Sequence, residues 1–169
     1  MDGKYFEDLE INQTFVTRGR TLTETDIAYY AGFSWDYNPE HTDAEFARAS
    51  IFKERIAHML LSLVFANGLS AATGFLRGTA RGYLGLNWRT LGICKVGDTL
   101  HVKETILEKK DSPRVDVGIV VIGIEVINQR GEVVNRGERT MLVAHKPKPG
   151  VAERPWEFVF TLEALENAE

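Results

Sequence analysis

Hydrophobic and polar positions change rhythm along this chain, and each change marks an element. "INQTFVTRGR" carries the short alternation of a first strand and stops at Gly19. "TLTETDIAYYAGF" follows, with Thr23 as N-cap and Asp26 three residues on, a capping box that opens a short helix. Ile27, Tyr30 and Ala31 share its inner face, and Gly32 is expected to end it. "IAHMLLSLVFANGLSAATGFL", residues 56–76, holds no Asp, Glu, Lys or Arg. Its length would suit a membrane span. Ser62, Asn67 and Ser70 sit inside it, small residues are frequent, and no second such run occurs. The pattern therefore predicts a helix buried on all sides within the protein.

From Gly82 onward the pattern is that of strands: "GYLGLNWRTLGIC", "DTLHVKETILEKK", "RVDVGIVVIGIEVIN" and "EVVNRGERTMLVAHK". Val117, Ile119 and Val121 alternate with other residues; Leu100, Val102 and Glu104 do so less cleanly. "NQRGE" supplies a turn between the last two strands, and "KVGD" is a second tight turn. One long apolar helix and about five antiparallel strands predict an α+β layer in which a sheet wraps around a helix. The domain is expected over residues 1–146. A Pro-rich linker and a short acidic amphipathic segment occupy 147–169, where Trp156, Phe158 and Phe160 could dock on the body or on a partner.

Composition narrows the class. With 169 residues, 44% hydrophobic and 26% charged, the chain is long enough for one well-filled core. A net charge of −4 with scattered basic residues gives no surface for nucleic acid or anionic lipid. The single cysteine, Cys94, excludes an intrachain disulfide and any multi-cysteine zinc site, and its apolar surroundings predict a buried, inert thiol. "MDGKYFEDLE" has no apolar core of a secretory signal, so a cytoplasmic location is expected. His101 and His145 have no carboxylate or histidine at ligand spacing, and no metal is expected.

The candidate chemistry lies in "FSWDYNPEHTDAEFARAS", residues 33–50. Proline pushes Asn38 to an extended conformation, so no helix runs through. Thr42 with Glu45 predicts a second capping box and a helix through "AEFARAS". Asp36 and His41 then flank a rigid bend, able to meet on one side of it. A plain turn with an exposed histidine would use the same residues.

The motif Asp36-x-Asn38-Pro39-x-His41, with "YFEDLEINQTF" before it and "ERIAH" and "GLNWRTLGICKVGDTLHV" after it, resembles the MaoC-like dehydratase family, which includes the R-specific enoyl-CoA hydratases. The resemblance spans about residues 5–146. It implies a hot-dog fold, a curved antiparallel sheet around one long helix, assembled as a homodimer or a dimer of dimers. It implies reversible hydration of a 2-enoyl-CoA thioester, with Asp36 and His41 in the positions of the catalytic dyad. Coenzyme A belongs to the substrate, and no separate cofactor is implied. Asn38 and Pro39 would hold the loop, and the helix start around His58 and Met59 would supply N–H groups to the thioester oxygen. Arg89 is placed to contact a CoA phosphate or to stand as a solvated strand-edge residue. The chain departs from the family pattern at Trp35 and Met59, where glycine is usual, and at Val64, where serine is common. Those positions are expected to shape the substrate pocket. Two rival functions stay open at this point: a hot-dog acyl-CoA thioesterase and a silent acyl-CoA-binding accessory protein.

Overall fold

The computed structural model describes residues 3–147. Residues 148–169, which hold the rest of the linker and the tail with Trp156, Phe158 and Phe160, lie outside the described residues. A 3₁₀ turn (Phe6–Asp8) precedes β1 (Thr14–Val16), β2 (Arg20–Thr21), α1 (Glu24–Ser34), α2 (Pro39–Thr42), α3 (Ala44–Ala49), α4 (Met59–Thr73), β3 (Ala80–Thr90), β4 (Thr99–Asp111), β5 (Val117–Ile127) and β6 (Val133–Ala144). The strands form one antiparallel sheet in the order β1-β4-β5-β6-β3, with β2 also pairing β4. This is the expected hot-dog architecture. The predicted first strand is two short ones, because the chain leaves β4 after Val16 and rejoins it at Arg20.

Alternation dictates which side of each strand faces the helix. Leu100, Val102 and Ile106 of β4 and Ile122, Ile124 and Val126 of β5 are buried in the core beneath α4. Leu61, Phe65, Ala66 and Leu69 of α4 complete one cluster with Leu22 and Ile27, and Phe75 joins the other with Leu9 and Val143. Gly74 ends α4 in the left-handed region at φ 74°. Among the described residues no helix is long and apolar enough to cross a membrane.

Four expectations are corrected. Helix α1 runs through Gly32 and stops at Trp35, whose φ of 63° forms its left-handed cap. A one-turn helix, α2, begins at Pro39, so His41 lies within a helix; a ring-fixed φ suits proline to a first helical position. The N-cap of α3 is Asp43, whose carboxylate accepts from the N–H groups of Glu45 and Phe46, while Thr42 turns its hydroxyl to the carbonyls of Tyr37 and Asn38. Finally, α4 is not buried all round. Met59, Leu60 and Val64 are 57%, 49% and 55% exposed, because only one face of the helix meets the sheet.

Candidate active site

Two segments distant in sequence build the site: the bend from Trp35 to His41 and the lead-in to α4, Ile56 to Met59. They are joined directly. The Ile56 N–H donates to the Glu40 carbonyl at 3.1 Å. His41 Nδ1 lies 2.8 Å from the Ile56 carbonyl, and His58 Nε2 lies 2.9 Å from the Asp36 carbonyl. A carbonyl only accepts, so His41 carries its proton on Nδ1 and His58 on Nε2. His41 is thereby left with an Nε2 lone pair, the tautomer a general base needs.

Asp36 is half-buried, and its Oδ1 accepts from the Asn38 side chain at 2.7 Å and the Asn38 N–H at 3.3 Å. Asn38 thus orients the carboxylate, and its extended backbone (ψ 139°) hands the chain to Pro39. The rings of His41 and His58 stack at 3.9 Å between centroids, and Tyr30 of α1 lies 4.8 Å from His58. Burial, then the neighbouring His41, hold the His58 imidazole below the usual histidine range, against the opposing pull of the Asp36 carbonyl. His58 Nδ1 is buried without a partner.

One side-chain donor atom from each of Asp36, His41 and His58 falls within 4.8 Å of the others. That triangle is the set among the described residues with the chemistry to hold a cation. It is also the set suited to moving a proton, since one ring nitrogen of each histidine is already tied to a backbone carbonyl. His145, past the end of β6, meets Glu7 at 2.6 Å, a pairing across the whole chain that spacing does not reveal.

The other predicted residues divide. Met59 opens α4, next to His58; the helix has no side-chain cap, the Leu61 N–H closes on the His58 carbonyl at 3.0 Å, and the positive end of the helix dipole lies there. Trp35 is 84% exposed beside Asp36. Val64 stands on the uncovered face of α4. Arg89 is exposed on β3, opposite Arg136 of β6, and no described hydrogen bond or ion pair ties it to Asp36 or His41. Cys94 is buried and its thiol is pushed up to about 11, chiefly by that burial, as an inert thiol should be.

An antiparallel sheet packed on one helix defines a hot-dog protein, and Asp36, His41 and His58 come together beside the start of that helix. Residues 7–127 match the MaoC like domain family, and the chain belongs to it. The chain is 33% identical over 144 residues to an (R)-specific enoyl-CoA hydratase of Rhodospirillum rubrum, covering 82% of this chain and 91% of that protein. Its structure resembles R-hydratase PhaJ1 of Pseudomonas aeruginosa in the unliganded form, with a TM-score of 0.69 and 31% identity over 88% of this chain and 96% of the other. A Mycobacterium tuberculosis protein with a double hotdog fold shares the architecture at a TM-score of 0.77 and 21% identity, over 90% of this chain and 48% of that one.

Proposed function

We propose that this protein is a hydro-lyase that adds water reversibly across the double bond of a 2-enoyl-CoA thioester, with Asp36 and His41 as its acid–base pair. The observation that carries the reading is the His41 tautomer: Nδ1–H is fixed on the Ile56 carbonyl, which leaves Nε2 its lone pair, and a ring nitrogen of His41 lies within 4.8 Å of an Asp36 carboxylate oxygen. The hydratase relatives supply the acyl-CoA substrate class. A water held between the two groups gives one proton to His41 Nε2 as its oxygen bonds to Cβ. One proton is returned to Cα through the pair, so the site ends as it began. Each group contributes about 10²–10⁴-fold. Charge building on the thioester oxygen meets the N–H groups at the start of α4.

The working unit is a homodimer. Met59, Leu60 and Val64 form an exposed apolar stripe on α4, and β3, an edge of the sheet with Tyr83 and Leu86 exposed, is paired on one side only among the described residues. A second copy would cover both.

Purified Asp36→Asn and His41→Ala are expected to fold and to lose at least about a hundredfold in turnover, followed by loss of enoyl absorbance. Near-parental rates in either variant would remove the pair from the mechanism. Free thiol released from acyl-CoA, without hydration, would make the protein a thioesterase. Thermal stabilisation by acyl-CoA without turnover would make it a binding protein.

A further inference from the structure

Among the described residues the inward face of the sheet is mostly apolar, and a buried ion pair interrupts it. Glu104 of β4 and Arg139 of β6 are 1% and 5% exposed. They reach each other over β5, with Arg139 Nη2 2.6 Å from Glu104 Oε1. Ser70 of α4 lies between them: its hydroxyl donates to Glu104 Oε2 at 2.8 Å and accepts from Arg139 Nη2 at 2.9 Å. Among the described residues Arg139 Nε has no partner. Burying an ion pair is seldom more stabilising than well-packed apolar side chains, so core stability does not account for it. The hydration chemistry does not use it either. Ser70 stands eleven residues beyond Met59, about 16 Å along the helix from the Asp36–His41 end.

The cluster opens on a cavity of about 300 Å³ between the second half of α4 and β3 and β6. Arg139, Arg77 and Asn67 line it together with apolar walls that include Phe75 and Met141, and no acidic residue among the described ones does. Glu104 lies behind Arg139, outside the lining. The single Ser70 proton is committed to Glu104. What faces the cavity is therefore a surplus of donors and positive charge over a hydrocarbon wall. A ligand there needs an anionic acceptor on a short apolar body, and guanidinium groups match a carboxylate in shape and charge. The volume is at the small end for ligand pockets.

We propose that this cavity is a binding site for a short-chain organic carboxylate, held by Arg139 and Arg77. Two sources present that chemistry: the carboxylate end of a dicarboxylic acyl thioester long enough to span the roughly 16 Å from the acid–base pair, which rests on the hydratase reading above, and a free organic acid, which does not.

The test is calorimetric titration of the full chain with butyrate, hexanoate, butyramide and butylammonium, independent of turnover. The carboxylates should bind at least tenfold more tightly than the amide and the amine. Arg77→Gln, at an exposed position, should weaken them severalfold. The charge-neutral pair Glu104→Gln with Arg139→Gln should weaken them tenfold or more, with melting curves to confirm folding. A dicarboxylic enoyl-CoA of that length preferred at least tenfold in kcat/KM over its monocarboxylic counterpart, with the preference lost in Arg77→Gln, assigns the substrate as source. Equal kcat/KM with tight butyrate binding assigns the free acid. Carboxylates binding no better than butyramide, or unchanged in both variants, would overturn the site. Should no thioester turn over, the hydratase reading fails while the titrations still decide the cavity.

Discussion

Removing Arg139 alone should be among the most damaging single changes to the core. In Arg139→Met the Glu104 carboxylate stays 1% exposed with only Ser70 to accept from. Breaking such a pair costs about 3–5 kcal/mol. At roughly 2–4 °C per kcal/mol for a chain of this size, the melting temperature should fall by about 6–20 °C. The double change Glu104→Leu with Arg139→Met removes both charges and should melt within about 1 kcal/mol of the parent. The loss should also depend on pH. Burial raises the Glu104 carboxyl above its ordinary value, and Arg139 and then Ser70 pull it back. Without Arg139 the upward push is less opposed. A native carboxyl raised above its unfolded value binds more protons than the unfolded chain between the two, so stability falls as pH rises through that window and returns on acidification. Scanning calorimetry from pH 8 down to pH 5 should show the deficit of Arg139→Met shrinking relative to the parent. A single variant melting within 2 °C of the parent, or a deficit that does not move with pH, would mean that the carboxylate is hydrated and the burial argument wrong.

Four further outcomes are expected. Trp35→Gly should raise thermal stability by about 0.5–1 kcal/mol, since Trp35 holds a left-handed φ of 63° while 84% exposed; a lower melting temperature would show that the indole fastens the bend. His58→Leu removes the donor to the Asp36 carbonyl and should lower kcat by about tenfold or more, with KM less affected, while His58→Gln restores part of it. Because the folded His58 is held below its unfolded value, it contributes stability at neutral pH that is lost on acidification below the ordinary histidine range, and melting curves of His58→Leu should lack that part. Sedimentation at micromolar concentration should give a dimer mass, and a fully active monomer would refute the role of the uncovered face of α4.

The sheet was legible because β4, β5 and β6 alternate and their turns carry glycines that the structure places at positive φ, Gly97 at 89° and Gly131 at 79°. The uncharged run marked α4, but its composition concealed an exposed side: Met59 and Val64 look like core residues wherever they stand. Gly32 misled in the opposite way, since a glycine one turn before a helix end resembles the end itself. Proline after Asn38 announces what it forbids upstream more plainly than its fitness to begin α2. The bend from Asp36 to His41 was visible in six residues. The stacking of His58 on His41 was not, because it joins segments that no local period connects. Glu104 did leave a trace: by parity it faces inward with Leu100 and Val102, and a charge there calls for a partner. Nothing near it in sequence names Arg139.

The three hydrogen bonds between the 36–41 bend and the lead-in to α4 make the acid–base pair as stable as that junction, and no more. None of the three belongs to the sheet ladders. A local opening that parts Ile56 from Glu40 and His41 would dissolve the site while β4, β5 and β6 stay paired. The Ile56 amide proton, exchanging with solvent faster than those of the central strands, would time that event. Activity would then be lost on warming or in mild denaturant ahead of the sheet, and regained on return without refolding the sheet.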